Sequence, residues 1–446
     1  MQTLLEVMGA PGVAALALLG GFCVLYTLQR GVGLSLFLLL VSYSLFFVQL
    51  GGVSTGAFFL RVLSLSLLSL GAIRRLTIPG SAFYLLLAYA LLGIIFSTAS
   101  YDLRMSIQVG GLLLLSVVSI SLGVSSYLDS YRSIGSFLRL FVAAGAIWTL
   151  LSFVFLKDFV SSSTLRFTGG GEMAATGYSR TGALLFPFML WAAMQRGRVL
   201  WRLIGSGGAI CIPICLFLSA TKTSVVMAII GSIPLLLRQG AAKTIRILVL
   251  FGVLGAAAFF IGSYLLGSRS SDFIMTRLTN MSLSGRQERW SAGLAACLAN
   301  PFFGRGAGAH ALFSARGGHN FHNAYLAIWY NTSIVGLTLV VSVLVSQTVW
   351  ALRLIRRAGT PLACDSMRLA AGVMLSLIAN GIVENGFASP STGATAVLFM
   401  MVTLIARVRQ LSEQERLTLP VIPVTRPYPQ GLKPLPYGAI PSRWRP

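Results

Sequence analysis

Apolar residues in this chain gather in long runs, separated by short polar segments that hold most of the arginines. The runs are close to the roughly 20 residues a helix needs to cross a hydrocarbon core. Alternating segments of about ten residues, the mark of a membrane barrel, are absent from the pattern. The runs predict thirteen spans, at 11–28, 32–50, 56–73, 79–99, 105–124, 134–156, 181–196, 200–219, 223–238, 244–266, 327–350, 367–384 and 391–407. The seventh and ninth are short, which fits tilt or partial entry. The first has no basic flank before it and no small-residue cleavage site after it, so it reads as a retained helix. The fold class predicted is an all-α polytopic membrane protein. It divides into a transmembrane domain over 1–410, with long outer loops at 157–180 and 267–325, and a Pro/Arg-rich tail over 411–446 that reads as extended and cytoplasmic.

Composition agrees with this pattern. Of the 446 residues, 56% are hydrophobic and 10% charged, against about 25% charged in a soluble domain. The formal charge of +23 invites a nucleic-acid reading, but the basic residues sort by topology. With the N-terminus outside, the inside segments and tail collect 21 of the 34 Lys and Arg, and every inside loop holds at least one, as the positive-inside rule asks. The five cysteines do not form a disulfide framework. Cys23, Cys211 and Cys215 fall inside apolar runs, Cys364 in a basic loop and Cys297 in a long loop.

Inside charges follow a biosynthetic rule; outside charges need another reason. Eleven cations face seven acids outside: the cations are Arg104, Lys157, Arg166, Arg180, Lys222, Arg269, Arg277, Arg286, Arg289, Arg305 and Arg316. Such an excess fits an anionic ligand, because the planar guanidinium fork matches phosphate oxygens. Arg180 and Lys222 sit at the mouths of spans, where a cation either snorkels to the interface or meets a lipid-linked phosphate. In "SLSGRQERW" a helix would put Arg286 and Arg289 at i, i+3 on one face and Glu288 on another. A salt-bridged surface helix and a pair of arginines facing a pocket are both open readings.

Two of the three histidines fall in "HNFHNAYL", as His319 and His322. A metal site would need more ligands at a matching spacing, and only His310 remains. A pH sensor has no partner to name. No elbow motif supports a Ser or Cys nucleophile. Structural hydrogen bonding stays open beside general acid/base work by one histidine. Arg61 and Arg139 lie within spans and would be the charged residues of a transport path, the basis of a non-enzyme alternative, a lipid-glycan transporter.

The stretch "SGRQERWSAGLAACLANPFFGRGAGAH…FHNAYLAIWYNTSIVGLTLVV" resembles the signature region of the O-antigen ligase and O-antigen polymerase superfamily. The shared pattern is carried here by Ser284-Gly285-Arg286 with Trp290, Asn300-Pro301 with Gly304 and Gly306, His322-Asn323-Ala324-Tyr325-Leu326, and Gly336-Leu337. "LRFTGGG" at 165–171 and "SATKTSV" at 219–225 look like two weaker family segments. Many relatives carry Arg where this chain has Lys222, and His319 has no counterpart in the pattern. The resemblance implies a bacterial inner-membrane glycosyltransferase of GT-C-like helical fold, with short helices on a large periplasmic loop. It implies no cofactor and no metal. The donor would be an oligosaccharide on undecaprenyl pyrophosphate. The acceptor would be another lipid-linked repeat (polymerase, for O-antigen or exopolysaccharide) or lipid A core (ligase). A flippase and a chain-length regulator would be partners, beside membrane lipids and without nucleic acid. His322 and Arg286 would be catalytic, and Arg166, Lys222, Arg180 and Arg289 would hold the pyrophosphate. Glu384, Asn323 and His319 are candidate supporting residues. Lys222 keeps the positive charge but loses the fork. For His322, a base toward the acceptor and a phosphate donor are both implied roles. The number of spans and the divergent middle loop favour polymerase.

Overall fold

The computed structural model describes residues 32–45, 53–73, 77–161, 175–195, 198–240, 286–315, 321–390 and 392–418, with isolated positions between 242 and 276. The predicted first span, about half of the tenth, Arg166, His319 and the tail beyond Thr418 lie outside the described residues. The described helices are α1 (Gly33–Leu45), α2 (Val53–Ile73), α3 (Ser81–Ile95), α4 (Leu103–Tyr127), α5 (Tyr131–Ser161), α6 (Ala175–Ala193) and α7 (Val199–Leu218). They continue with α8 (Lys222–Leu236), α9 (Arg286–Ala299), α10 (Ala309–Ala315), α11 (Ala324–Arg357), α12 (Pro361–Val383) and α13 (Gly393–Thr418).

Among the described residues there is no strand, and seven helices are long and apolar enough to cross a membrane. These are α3 with its 3-10 extension, α4, α5, α7, α11, α12 and α13; α1, α2 and α8 contribute shorter apolar stretches. This is the build of a polytopic membrane protein. Helix edges depart from the hydropathy pattern at several points. α5 runs to Ser161 and α6 begins at Ala175, so helix covers both ends of the expected outer loop 157–180 and includes Arg180. α12 begins at Pro361, which places Cys364 in its first turn rather than in a loop, and Cys297 lies within α9. α13 continues to Thr418, past the expected start of the tail at Leu411.

Local chemistry explains the helix starts. Asp102 caps α4 by accepting from the Met105 amide at 2.9 Å. Thr360 caps α12 ahead of Pro361, where the missing amide proton costs nothing. α6 is buried along most of its length and packs against α5, α7 and α8. At its outer turn Tyr178 stacks on Trp148 of α5 (centroids 4.6 Å apart), and Trp148 Nε1 donates to the Tyr178 carbonyl at 3.2 Å. On its other side Ser179 and Ser224 of α8 meet through their hydroxyls at 3.0 Å. α8 in turn crosses α12, where Ser376 Oγ donates to the Met227 carbonyl at 2.7 Å. Short polar side chains of this kind let membrane helices approach closely.

The run 327–350 reads as one uninterrupted span, yet α11 is broken at Thr332 (φ −130°, ψ 15°) and Ser333 (φ 68°, ψ 175°). The segment Pro301–His310 fills the break. The Arg305 and Gly306 amides donate to the Tyr330 and Asn331 carbonyls, both at 2.9 Å, and the Ile334 amide donates to the Pro301 carbonyl at 2.9 Å. Irregular backbone at membrane depth survives only where protein satisfies its polar groups. Gly306 is required there: its φ is +89°, and a Cβ would drive into Ser97 and Ser106. The Gly-x-Gly element of the sequence is therefore a plug for the broken helix.

Candidate active site

Glu384 is the C-cap residue of α12 and is buried. Three side chains converge on it. Arg286 Nη2, from the first residue of α9, lies 2.9 Å from Oε1. Arg180 Nη2, from the second turn of α6, lies 3.5 Å from Oε2. His322 Nδ1, ahead of α11, lies 3.4 Å from Oε2. One carboxylate thus collects groups from three parts of the chain that lie up to 204 residues from it. Burial raises the Glu384 pKa, but the His322 hydrogen bond and the charges of Arg180, His322 and Arg286 more than offset it, so the carboxyl titrates below its ordinary value. Each guanidinium has five donors, and Glu384 occupies only part of each set. Arg180 Nε is buried with no partner among the described residues.

Residues 322–325 explain the approach of His322 to α12. His322 has φ +46°, in the left-handed region, which histidine adopts more readily than bulky or branched residues. Asn323 then caps α11 by accepting from the Leu326 amide at 3.0 Å, and its Nδ2 donates to the Ile382 carbonyl at 2.9 Å. That carbonyl is in the last turn of α12, where no helical amide reaches it. Tyr325 donates from its hydroxyl to the Ile378 carbonyl at 2.9 Å, and its ring packs edge-on to Phe387, 5.8 Å between centroids. The octet that holds His322 is thus fastened twice to the helix that ends at Glu384.

Gly386 completes the enclosure of Arg180. A Cβ at that position would lie 2.5 Å from Arg180 Nη1 and 2.8 Å from Cζ, so any larger residue there must displace the guanidinium. Neither this contact nor the two anchors of the octet is visible in a linear pattern.

The other candidates take different places. Arg289 lies one turn along α9 from Arg286 and is partly buried. Lys222 opens α8 two residues before Ser224, whose hydroxyl meets that of Ser179, so its backbone is level with Arg180. Arg286 pairs with Glu384 rather than with the neighbouring Glu288. His310 is buried in the plug, its Nδ1 3.0 Å from Asn331 Nδ2, and burial, only partly offset by the Asn331 hydrogen bond, lowers its pKa to about 4. It is a neutral structural group at neutral pH. Arg61, fully buried, stacks over the Tyr43 ring at 4.1 Å. Among the described residues no three His, Cys, Asp or Glu side chains group as a metal site.

A paired carboxylate and histidine beside two guanidinium groups can orient an imidazole, hold an anion and shift a proton. With Nδ1–H directed to Glu384, the ring places its lone pair on Nε2. No curated protein matches the chain. Residues 207–341, from the middle of α7 to the middle of α11, match the family model Wzy_C, described as O-Antigen ligase. That segment carries Lys222, Arg286, Arg289 and His322, while Arg180 and Glu384 lie outside it. This match, with the motif residues inside it, marks that segment as similar to the O-antigen ligase/polymerase superfamily.

Proposed function

We propose that the chain transfers a glycan from an undecaprenyl-pyrophosphate donor at the periplasmic face of the bacterial inner membrane. The observation that carries this reading is the convergence of Arg180, Arg286 and His322 on Glu384. The acceptor hydroxyl attacks the anomeric carbon and gives its proton to His322 Nε2. The bond from that carbon to the diphosphate oxygen breaks, and the electron pair stays on the diphosphate. Negative charge grows on the leaving group, where preorganised donors stabilise the transition state more than the ground state. Arg180 and Arg286 are those donors. Arg289 and Lys222 add positive charge along the same face, and Arg166 is assigned to the diphosphate from its sequence motif alone. Glu384 holds the imidazole in one tautomer and keeps two like-charged guanidinium groups side by side.

The acceptor in this reading is a second lipid-linked repeat, which makes the protein a polysaccharide polymerase working with a flippase and a chain-length regulator. The ligase reading, with lipid A core as acceptor, is favoured by the description of the matching family. Purified protein given only the lipid-linked repeat separates the two. A ladder of lengthening products supports polymerase. Transfer seen only after lipid A core is added supports ligase. No turnover with either acceptor contradicts both.

A further inference from the structure

A cavity lies at the other end of the bundle from Glu384. Leu362, in the first turn of α12, lines it, whereas Glu384 caps the last turn of the same helix. At 1.5 Å per residue the two ends are about 33 Å apart, close to the ~30 Å of a hydrocarbon core. The cavity holds about 210 Å³, and its polar walls are Arg132, Arg139, Arg198, Trp191, Trp201 and Gln195. No carboxylate is among its lining residues. Guanidinium and indole groups only donate hydrogen bonds, so Gln195 supplies the sole side-chain acceptor.

The positive-inside rule accounts for Arg132 and Arg198 at helix ends. It does not account for two other features. Arg139 lies two turns inside α5, fixed at the wall by bonds from Nε to the Gly135 carbonyl at 3.0 Å and from Nη2 to Ser136 Oγ at 3.2 Å. Trp191 is only 5% exposed, and its Nε1 is buried with no hydrogen-bond partner among the described residues. A buried donor without an acceptor is costly. Arg139 stands half-buried at this wall, with Arg132 and Arg198 at the exposed rim, so an oxyanion in the cavity would meet three guanidinium groups and no lining carboxylate.

We propose that this cavity binds a phosphate oxyanion, held by the forks of Arg132, Arg139 and Arg198. Two sources offer that chemistry, the headgroup of an anionic lipid and a free inorganic phosphate. The apolar indole faces and the position at the bundle's end suit either.

The test uses full-length protein in a neutral detergent, titrated separately with dihexanoyl phosphatidylglycerol and with sodium phosphate, against sodium chloride of equal ionic strength. Tryptophan fluorescence and Tm are the readouts. The expected result is a saturable shift that chloride does not reproduce. The apparent Kd should weaken about 10-fold in Arg198→Gln and in Arg139→Gln, since charge-assisted bonds are lost. Arg198 is exposed, so its variant keeps the proposal testable if Arg139→Gln does not fold. Saturation by the lipid alone assigns the headgroup; saturation by inorganic phosphate at a similar concentration assigns the free anion. A linear response to both probes, or wild-type affinity in Arg198→Gln, overturns the proposal.

Discussion

Arg286 Nη2 and Glu384 Oε1 lie 2.9 Å apart across 98 residues of sequence, joining the first turn of α9 to the end of α12. This contact brings the arginine of the Ser-Gly-Arg motif to the histidine of the His-Asn-Ala-Tyr-Leu motif, because Glu384 also meets His322. Breaking a buried ion pair on one side leaves its partners uncompensated, at about 3–5 kcal/mol. Glu384→Gln should therefore lower both Tm and transfer rate, the rate by about 100-fold. The pH dependence follows from the sign of the shift. The native pKa of Glu384 is depressed, so its contribution to stability is complete above the unfolded value of about 4.3. It is lost as pH falls below that value through the native one. Thermal unfolding of wild type and Glu384→Gln across this range should show a shallower acid slope in the variant; equal slopes contradict the assignment.

Gly386→Ala tests the enclosure of Arg180. A methyl group 2.5 Å from Nη1 must push the guanidinium off Glu384. We expect the transfer rate to fall about 10-fold or more, with the protein still inserted and folded. In an Arg180→Ala background the same change should add little, since contacting residues couple. Full additivity in that double-mutant cycle argues against the contact.

Asn323 has two separable bonds. Asn323→Ala removes the cap of α11, worth about 1 kcal/mol, and also the tie to the Ile382 carbonyl. Asn323→Asp keeps an acceptor for the Leu326 amide and loses only the donor. The expected outcome is near-wild-type Tm with a reduced rate in Asn323→Asp, and a loss of both in Asn323→Ala. A rate unchanged in both variants removes Asn323 as a positioning residue.

His310 gives a second pH signature. Its native pKa of about 4 lies below the unfolded value near 6.5. The neutral ring stabilises the fold fully above pH 6.5, and this contribution falls away as pH drops toward 4. Tm profiles of wild type and His310→Gln over that window should differ in slope, with the wild type steeper. A wild type no steeper than the variant contradicts a buried neutral His310.

The spans were legible because hydropathy runs have the length of a bilayer; eleven of the predicted thirteen coincide with described helices, although only seven meet span length and apolarity. His322 and Arg286 were legible through their motifs. Glu384 was legible as a helix-end acid that could support His322, but not as the meeting point of three groups, because its partners lie 62, 98 and 204 residues away and no periodicity links them. The break in α11 was hidden for a different reason: Thr332 and Ser333 sit inside an apolar run, and hydropathy is blind to a positive φ. Likewise the plug's glycines read as a motif, while their use in filling that break appears only in three dimensions.

The most direct test of the account is the single-turnover rate of glycan release from the lipid-linked donor by purified protein, compared among wild type, Arg286→Ala and His322→Ala. The account predicts a loss of about 100- to 1,000-fold for Arg286→Ala and of about 100-fold or more for His322→Ala, each with membrane insertion and elution profile intact. A wild-type rate in either variant would contradict the claim that Glu384 assembles a diphosphate-holding, proton-shifting site.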